Sequence, residues 1–307
     1  MTKKKRTKNI HHKAFSDISV LGFFAQENSM QMHRLLLADT VRTESFRKAI
    51  FSRIKKGDIV LDLGCGTGVL SLFACQAGAK RVYALECEKS TMEFARSISR
   101  NNGWHNKIHF INQISKNVTL PEPVDVVVSE CIPWMMYAGD MISSVLDARD
   151  RMLRKGGKVI PEKITLFGAP IADHNIHEYM GYFENGKHYD LDFSLGQHGP
   201  INNVYIAALP RDSIAAAPQF LDVADLTSGY PSEHLDVQVE FPFETKKAIH
   251  GLGLWFDVDL GNGVRFSTSP RHKTTAWKQV FLSCGSNELM VSKGDVLQLH
   301  LQLTRAQ

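Results

Sequence analysis

The stretch Ile59–Gly68, Ile-Val-Leu-Asp-Leu-Gly-Cys-Gly-Thr-Gly, constrains this chain more than any other. A short apolar run ending in three alternate glycines reads as a strand feeding a tight turn. The amphipathic run from Val69 to Ala77, closed by Gly78, makes the next element a helix. Gly64, Gly66 and Gly68 carry no Cβ, so a ligand can approach the turn backbone at the N-terminus of that helix, where free N–H groups face it. A second strand, Arg81 to Leu85, delivers Glu86. An acid at the end of the second strand of such a unit is placed to accept hydrogen bonds from ribose hydroxyls.

The glycine spacing narrows the ligand. A dinucleotide fingerprint needs its third glycine three residues after the second, where this chain has Val69. The pattern here is Asp62-x-Gly64-x-Gly66-x-Gly68, and a turn with no pyrophosphate to cradle stays open for a sulfonium amino acid. It resembles the first motif of the class I S-adenosylmethionine (AdoMet) methyltransferases. That resemblance implies AdoMet as cofactor, with Asp62, Gly64, Cys65, Gly66 and Gly68 along its methionyl and ribose portions. Glu86 would take the ribose hydroxyls, with Cys87 beside it.

Alternation continues downstream, with a helix from Lys89 to Asn101 and strands at Ile108 to Ile111 and Val124 to Val128, the latter ending in Ser129-Glu130. A helix from about Met141 to Leu153 and a strand from Lys158 to Ile160 complete it. This pattern predicts an α/β fold, a doubly wound and mostly parallel sheet with its ligand at the carboxyl ends of the strands, where Glu130 sits. Upstream, one helix is expected from Met32 through Ile54, enclosing Asp39-Thr-Val-Arg-Thr43. Arg42 reads either as a surface charge or as a guanidinium fork for the methionyl carboxylate. After Pro161 the sequence turns to short strand-like runs, including Val237–Phe241, Gly253–Asp259 and Val296–Leu303, punctuated by Gly, Pro and Asn. They predict a second domain, a β-barrel or sandwich, interrupted by a weakly patterned insert from Phe193 to Ala217. The expected division is a basic, disordered tail over 1–22, a cofactor domain over 23–161 and a β domain over 162–307.

Composition bounds the setting. At 307 residues and 43% hydrophobic, the chain can bury a large core, and no apolar run is long enough for a membrane span. Its start, Met-Thr-Lys-Lys-Lys-Arg-Thr-Lys, is not followed by the apolar run of a signal peptide, so a cytoplasmic protein is expected. The five cysteines form no Cys-x-x-Cys pair, which argues for a reducing compartment and against a cysteine metal cluster; no metal site is expected. The net charge of +4 comes largely from the first eight residues, a solvated arm rather than a grip on nucleic acid.

Several segments in order resemble the protein arginine methyltransferases. They are Asp39-Thr-Val-Arg-Thr43, the Asp62–Gly68 turn, Glu86, Ser129-Glu130, Ala148-Arg-Asp150, Phe256-Asp-Val258, Phe266-Ser-Thr-Ser-Pro270 and Trp277-Lys-Gln279. The resemblance spans from about Phe23 to the C-terminus. It implies an AdoMet domain followed by a β-barrel, a helical dimerisation arm near 193–217 and a head-to-tail homodimer. It also implies a substrate guanidinium held between two glutamates, which pair bidentately with a planar cation and raise the lone-pair density of the attacking nitrogen. The first glutamate matches Glu130. The second position falls at Gly139, with Asp140 beside it, and Asp140 reads either as the N-cap of the following helix or as a shorter substitute carboxylate.

Other departures cluster at the same pocket. The family's Thr-His-Trp is Thr275-Ala276-Trp277, and the tyrosine-rich start appears as Phe23-Phe24-Ala-Gln-Glu27. The loop Cys131–Tyr137 is more apolar, with Pro133 and Trp134. Trp134 is either core packing or, with Trp277, an aromatic face for the substrate. The family's acidic contact to the adenine amine aligns with Ser115. The expected activity is AdoMet-dependent N-methylation of a guanidine, in protein arginine or a small guanidino compound. Its alternatives are a repurposed enzyme acting on a natural-product amine or hydroxyl, and a silent AdoMet-binding scaffold.

Overall fold

The computed structural model describes residues 7–11, 30–136, 141–180, 187–193, 203–229, 234–285 and 288–304. Its first elements are β1 (Thr7–His11), α1 (Met30–Ala38), α2 (Thr40–Arg53), β2 (Ile59–Leu63), α3 (Val69–Gln76), β3 (Arg81–Leu85) and α4 (Lys89–Asn101). Then come β4 (Ile108–Ile111), β5 (Val124–Val128), α5 (Met141–Met152) and β6 (Leu153–Ile160). Strands β2 to β6 form one parallel sheet in the order β4-β3-β2-β5-β6. Strand β5 is Val-Asp-Val-Val-Val and buried throughout, the near-continuous apolar run that a strand covered on both faces requires. The order reverses between β2 and β5, so the crevice at their carboxyl ends is the natural ligand site of the sheet. The Gly64–Gly68 turn leaves β2 there, and Glu130 leaves β5.

The helix expected over Met32–Ile54 is two helices. Asp39 ends α1 and caps α2: its Oδ1 accepts the Arg42 N–H at 3.0 Å. Apolar residues recur on both sides of the break, and the cap alone marks it.

The second half is antiparallel: β7 (Lys163–Ile171), α6 (His174–Met180), β8 (Lys187–His188), β9 (Leu191–Asp192), β10 (Val204–Ala207), β11 (Gln219–Asp225) and β12 (His234–Pro242). It continues with β13 (Lys247–Ile249), β14 (Gly251–Gly261), β15 (Val264–Ser267), β16 (Gln279–Ser283), β17 (Leu289–Val291) and β18 (Val296–Thr304). A six-stranded sheet runs β10-β16-β14-β7-β11, with β15 on β14, and a three-stranded sheet runs β1-β18-β12. Leu297, Leu299, Leu301 and Leu303 of β18 are all buried, one face of a two-residue period. Phe241, Phe243, Phe256 and Phe281 are among the largest fully buried side chains.

Two expectations are corrected here. Thr7–His11, placed in a disordered tail over 1–22, pairs in parallel with Val296–His300. Strand β18 has an edge opposite β12 whose backbone groups need partners, and a five-residue strand supplies them without any apolar period of its own. The arm expected near 193–217 is corrected in part as well: Val204–Ala207 pairs antiparallel with Gln279–Leu282 and Ile214 bridges Ile171, so these two segments of the stretch belong to the sheet. The rest of 1–22 and residues 194–202 lie outside the described residues.

Arg53 joins the halves. Its guanidinium pairs with Glu162 and donates to the Leu260 carbonyl at 3.5 Å. A Cβ on Gly261 would lie 1.4 Å from Arg53 Nη1, so a side chain there would push the guanidinium from its place. Among the described residues, no helix is long and apolar enough to cross a membrane.

Candidate functional site

The turn after β2 is built as its glycines require. Gly64, Gly66 and Gly68 have φ of 71°, 52° and 78°, the left-handed region. Space excludes side chains too: a Cβ at Gly64 would stand 2.2 Å from Cys131 Sγ, and one at Gly66 would stand 2.9 Å from the His33 ring. Beneath the turn Asp62 is fully buried. Its Oδ2 accepts the Ser71 hydroxyl at 2.6 Å, while Oδ1 has no partner among the described residues. Burial pushes its carboxyl up to about 7, against the Ser71 hydrogen bonds.

Glu86 stands at the end of β3, where its Oε2 accepts the Gly66 N–H at 3.0 Å and its Oε1 the Glu88 N–H at 2.9 Å. The Cys65 N–H donates to the Leu85 carbonyl at 2.8 Å, binding the turn to the same strand end. Cys65 is buried in the turn, and Cys87 is exposed beside Glu86.

A cleft opens over the turn, lined by Gly64, Gly66 and Thr67 together with His33, Arg42 and Glu130. Arg42 and Glu130 form an ion pair in it, their side chains 7% and 12% exposed. Burial works against the charge on Arg42, and Glu130 more than offsets it, so the Arg42 pKa is raised. Arg42 Nη1 also donates to the Leu36 carbonyl at 3.0 Å. Arg42 is therefore a cleft residue and not a surface charge.

His33 escaped the sequence reading. Burial, aided by Arg42 and opposed by Glu86 and Glu130, lowers its pKa, so the ring is neutral at neutral pH. The available signal was spacing: His33, Leu36 and Leu37 fall at i, i+3 and i+4 and share one helix face.

The loop after β5 is held from behind. The Ser129 hydroxyl donates to the Leu63 carbonyl at 2.9 Å, and burial pushes the Cys131 thiol up to about 12, which leaves it protonated and inert. Trp277 donates its indole N–H to the Ile132 carbonyl at 2.9 Å. Its ring stacks on Phe266 at 5.7 Å and meets Phe256 edge-on at 5.5 Å, with 6% of the residue exposed. This corrects the expected role of Trp277: it is the wall that positions the loop, and its surface is spent on packing. Trp134 is half-buried against the core. Ser115 does not line the cleft; it is buried in a 3₁₀ turn where its carbonyl accepts Arg151 Nη2 at 2.9 Å. Gly139 and Asp140 lie outside the described residues.

Among the described residues, one cluster has the composition of a metal site: His174, His250 and Glu288, with ligand atoms within 4.8 Å of one another. The Asp173 N–H points at His250 Nδ1 at 2.9 Å, so that nitrogen accepts and the proton sits on Nε2, which faces Glu288 Oε1 at 3.1 Å. A metal would need that Nε2 lone pair. The cluster is a hydrogen-bonded clamp.

Comparison with known proteins gives the lineage. A family model described as the arginine methyltransferase oligomerization subdomain matches residues 162–307, and one described as ribosomal protein L11 methyltransferase (PrmA) matches residues 43–161. Protein arginine N-methyltransferase 6 of Xenopus laevis is 33% identical over 85% of this chain and 80% of its own length. Protein arginine N-methyltransferase 1 of Chlamydomonas reinhardtii is 31% identical over 91% and 82%. Among solved structures, the Trypanosoma brucei PRMT1 enzyme–prozyme heterotetrameric complex with AdoHcy superposes with a TM-score of 0.78 at 28% identity, covering 87% of this chain and 86% of that one. Arabidopsis thaliana protein arginine methyltransferase 10 gives 0.79 at 26% identity, over 88% and 86%. The chain belongs to the protein arginine methyltransferase family.

Proposed function

We propose that this protein transfers the methyl group of AdoMet to a guanidino nitrogen of arginine in a protein substrate. The observation that carries the reading is the Arg42–Glu130 pair at the mouth of the glycine turn. A carboxylate in the cleft already holds a guanidinium, the group an arginine acceptor would bring to it. The cradle suits the cofactor: the backbone of Gly64, Gly66 and Thr67 lines the cleft, and Arg42 offers a cation to a carboxylate. AdoMet supplies an electrophilic methyl on a good leaving group.

The protein's own part is position and electrostatics. Glu130 would orient the acceptor nitrogen and balance the positive charge that develops on it. Arg42 holds the methionyl carboxylate and Glu86 the ribose hydroxyls. The neutral His33 covers Gly66 and narrows the cleft around the cofactor. Asp140, one residue beyond Gly139, supplies a second carboxylate to the acceptor. The enzyme works as a homodimer, a reading supported by the match of residues 162–307 to an oligomerization subdomain, and its place of action is the cytoplasm.

The test is transfer from methyl-labelled AdoMet to arginine-containing proteins and, separately, to small guanidino compounds. Label recovered as methylarginine after protein hydrolysis is expected. Label confined to the small molecules, or none in either, overturns the reading. Gly139→Glu is expected to raise transfer to arginine, because it restores a second long carboxylate.

A further inference from the structure

The segment Ser269–Trp277 is bolted to the acceptor side of the cleft from two directions. Trp277 grips the Ile132 carbonyl, two residues beyond Glu130. The Ala276 N–H donates to Asp39 Oδ2 at 2.7 Å, and Lys273 Nζ donates to Thr40 Oγ1 at 3.0 Å, both at the start of the helix that carries Arg42. Its turn is closed by the His272 N–H to Ser269 carbonyl bond at 3.0 Å and the Arg271 N–H to Ser269 Oγ bond at 3.3 Å. Between these anchors Arg271, His272, Lys273 and Thr274 are all exposed.

Among the described residues, neither Arg271 nor Lys273 has a carboxylate within 4.0 Å. The first turn of α2 beside it holds no acid, and the Asp39 carboxylate is already engaged by the Arg42 and Ala276 N–H groups. Two cations, presented on a pinned loop beside a cleft for a cationic acceptor, repel a substrate segment rich in lysine and arginine. They attract one whose acceptor arginine is flanked by aspartate or glutamate. An extended chain advances about 3.3 Å per residue, so side chains a few positions from the arginine reach this rim.

We propose that Arg271 and Lys273 form an acid-selecting rim, and that the acceptor is an arginine in an acidic segment of a protein. The inference rests on the arginine reading of Glu130. Peptides with one arginine flanked by glutamate, serine or lysine would be compared for kcat/KM at low and moderate salt. The glutamate-flanked peptide is expected to exceed the lysine-flanked one by about tenfold or more, with the gap closing as salt is raised. Combined Arg271→Glu and Lys273→Glu is expected to reverse the order, and the milder Arg271→Gln with Lys273→Gln to flatten it, with melting temperatures checked for both. Equal use of the three peptides, or a preference that survives in both variants, overturns the proposal.

A separate measurement keeps the two readings apart. An arginine-free glutamate-rich peptide, followed by fluorescence anisotropy, should bind the unmodified protein and lose affinity in both variants. Such binding supports the rim even where no arginine peptide is methylated, a result that would sink the arginine reading alone. No binding overturns the rim. A short oligonucleotide bound more tightly than that peptide at the same salt would also overturn the assignment to an acidic protein segment.

Discussion

Asp62 carries a charge that the fold does not want. Its ordinary pKa of 3.8 rises to about 7 because burial removes water from the carboxylate, and only Ser71 answers it. The sign of the pH effect follows. Below about pH 4 both folded and unfolded chains hold the proton; as pH rises toward 7 the unfolded chain gives it up first, so stability is lost across that window and then levels off. Urea midpoints between pH 4.5 and 8 are expected to show this loss, on the order of a few kcal/mol. Asp62→Asn, which keeps an acceptor for Ser71, is expected to flatten it. Glu130→Gln tests the cleft in another way. Methyl transfer is expected to fall by about a hundredfold or more. The melting temperature should drop because Arg42 is left buried without its anion. AdoHcy should raise that melting temperature more in the variant than in the unmodified protein, since its carboxylate replaces the missing one. A variant that keeps full transfer would remove Glu130 from the mechanism.

At the scale of elements, Asp39 links three pieces at once. One oxygen caps α2, the other holds Ala276, and through α2 the cap fixes where Arg42 enters the cleft. Asp39→Ala is expected to cost about 1–2 kcal/mol through the lost cap, read as a lower melting temperature, and to speed hydrogen exchange at the Ala276 amide. Periodicity explains what could be read in advance and what could not. Strands β2, β3, β4 and β5 are dense in apolar residues and bounded by glycine, proline or charge, so their limits stood in the sequence. The break at Asp39 did not, because the apolar spacing crosses it and a cap is a local hydrogen bond without a period. Strand β10 is four residues long, too short for alternation to declare itself. Trp277 shows the same limit at the site: an indole against a substrate and an indole against Phe266 look alike in sequence, and only the Ile132 bond separates them. The positions of Glu86 and Glu130 were legible because each follows a strand of the sheet, whereas Arg42 was singled out by the resemblance of its segment to a known family.

Across the whole molecule, one guanidinium stands among the contacts that join the two halves. Arg53 ends α2, and its Nη1 fills the space that a side chain on Gly261 would take, with Glu162 and Leu260 completing the socket. Gly261 has φ of 86°, so a larger residue is strained there as well as crowded. Gly261→Ala is expected to lower stability and to split a single calorimetric transition into two, as the parallel and antiparallel halves lose their shared pin. One undivided transition at the original temperature would show that the junction is held elsewhere. The socket also bears on inheritance. Arg53 and Gly261 are encoded far apart, and each makes sense only with the other present. A recombinant that takes its first half from one relative and its second from another is therefore expected to be less stable wherever it brings only one member of that pair, despite the separate architectures of the two halves.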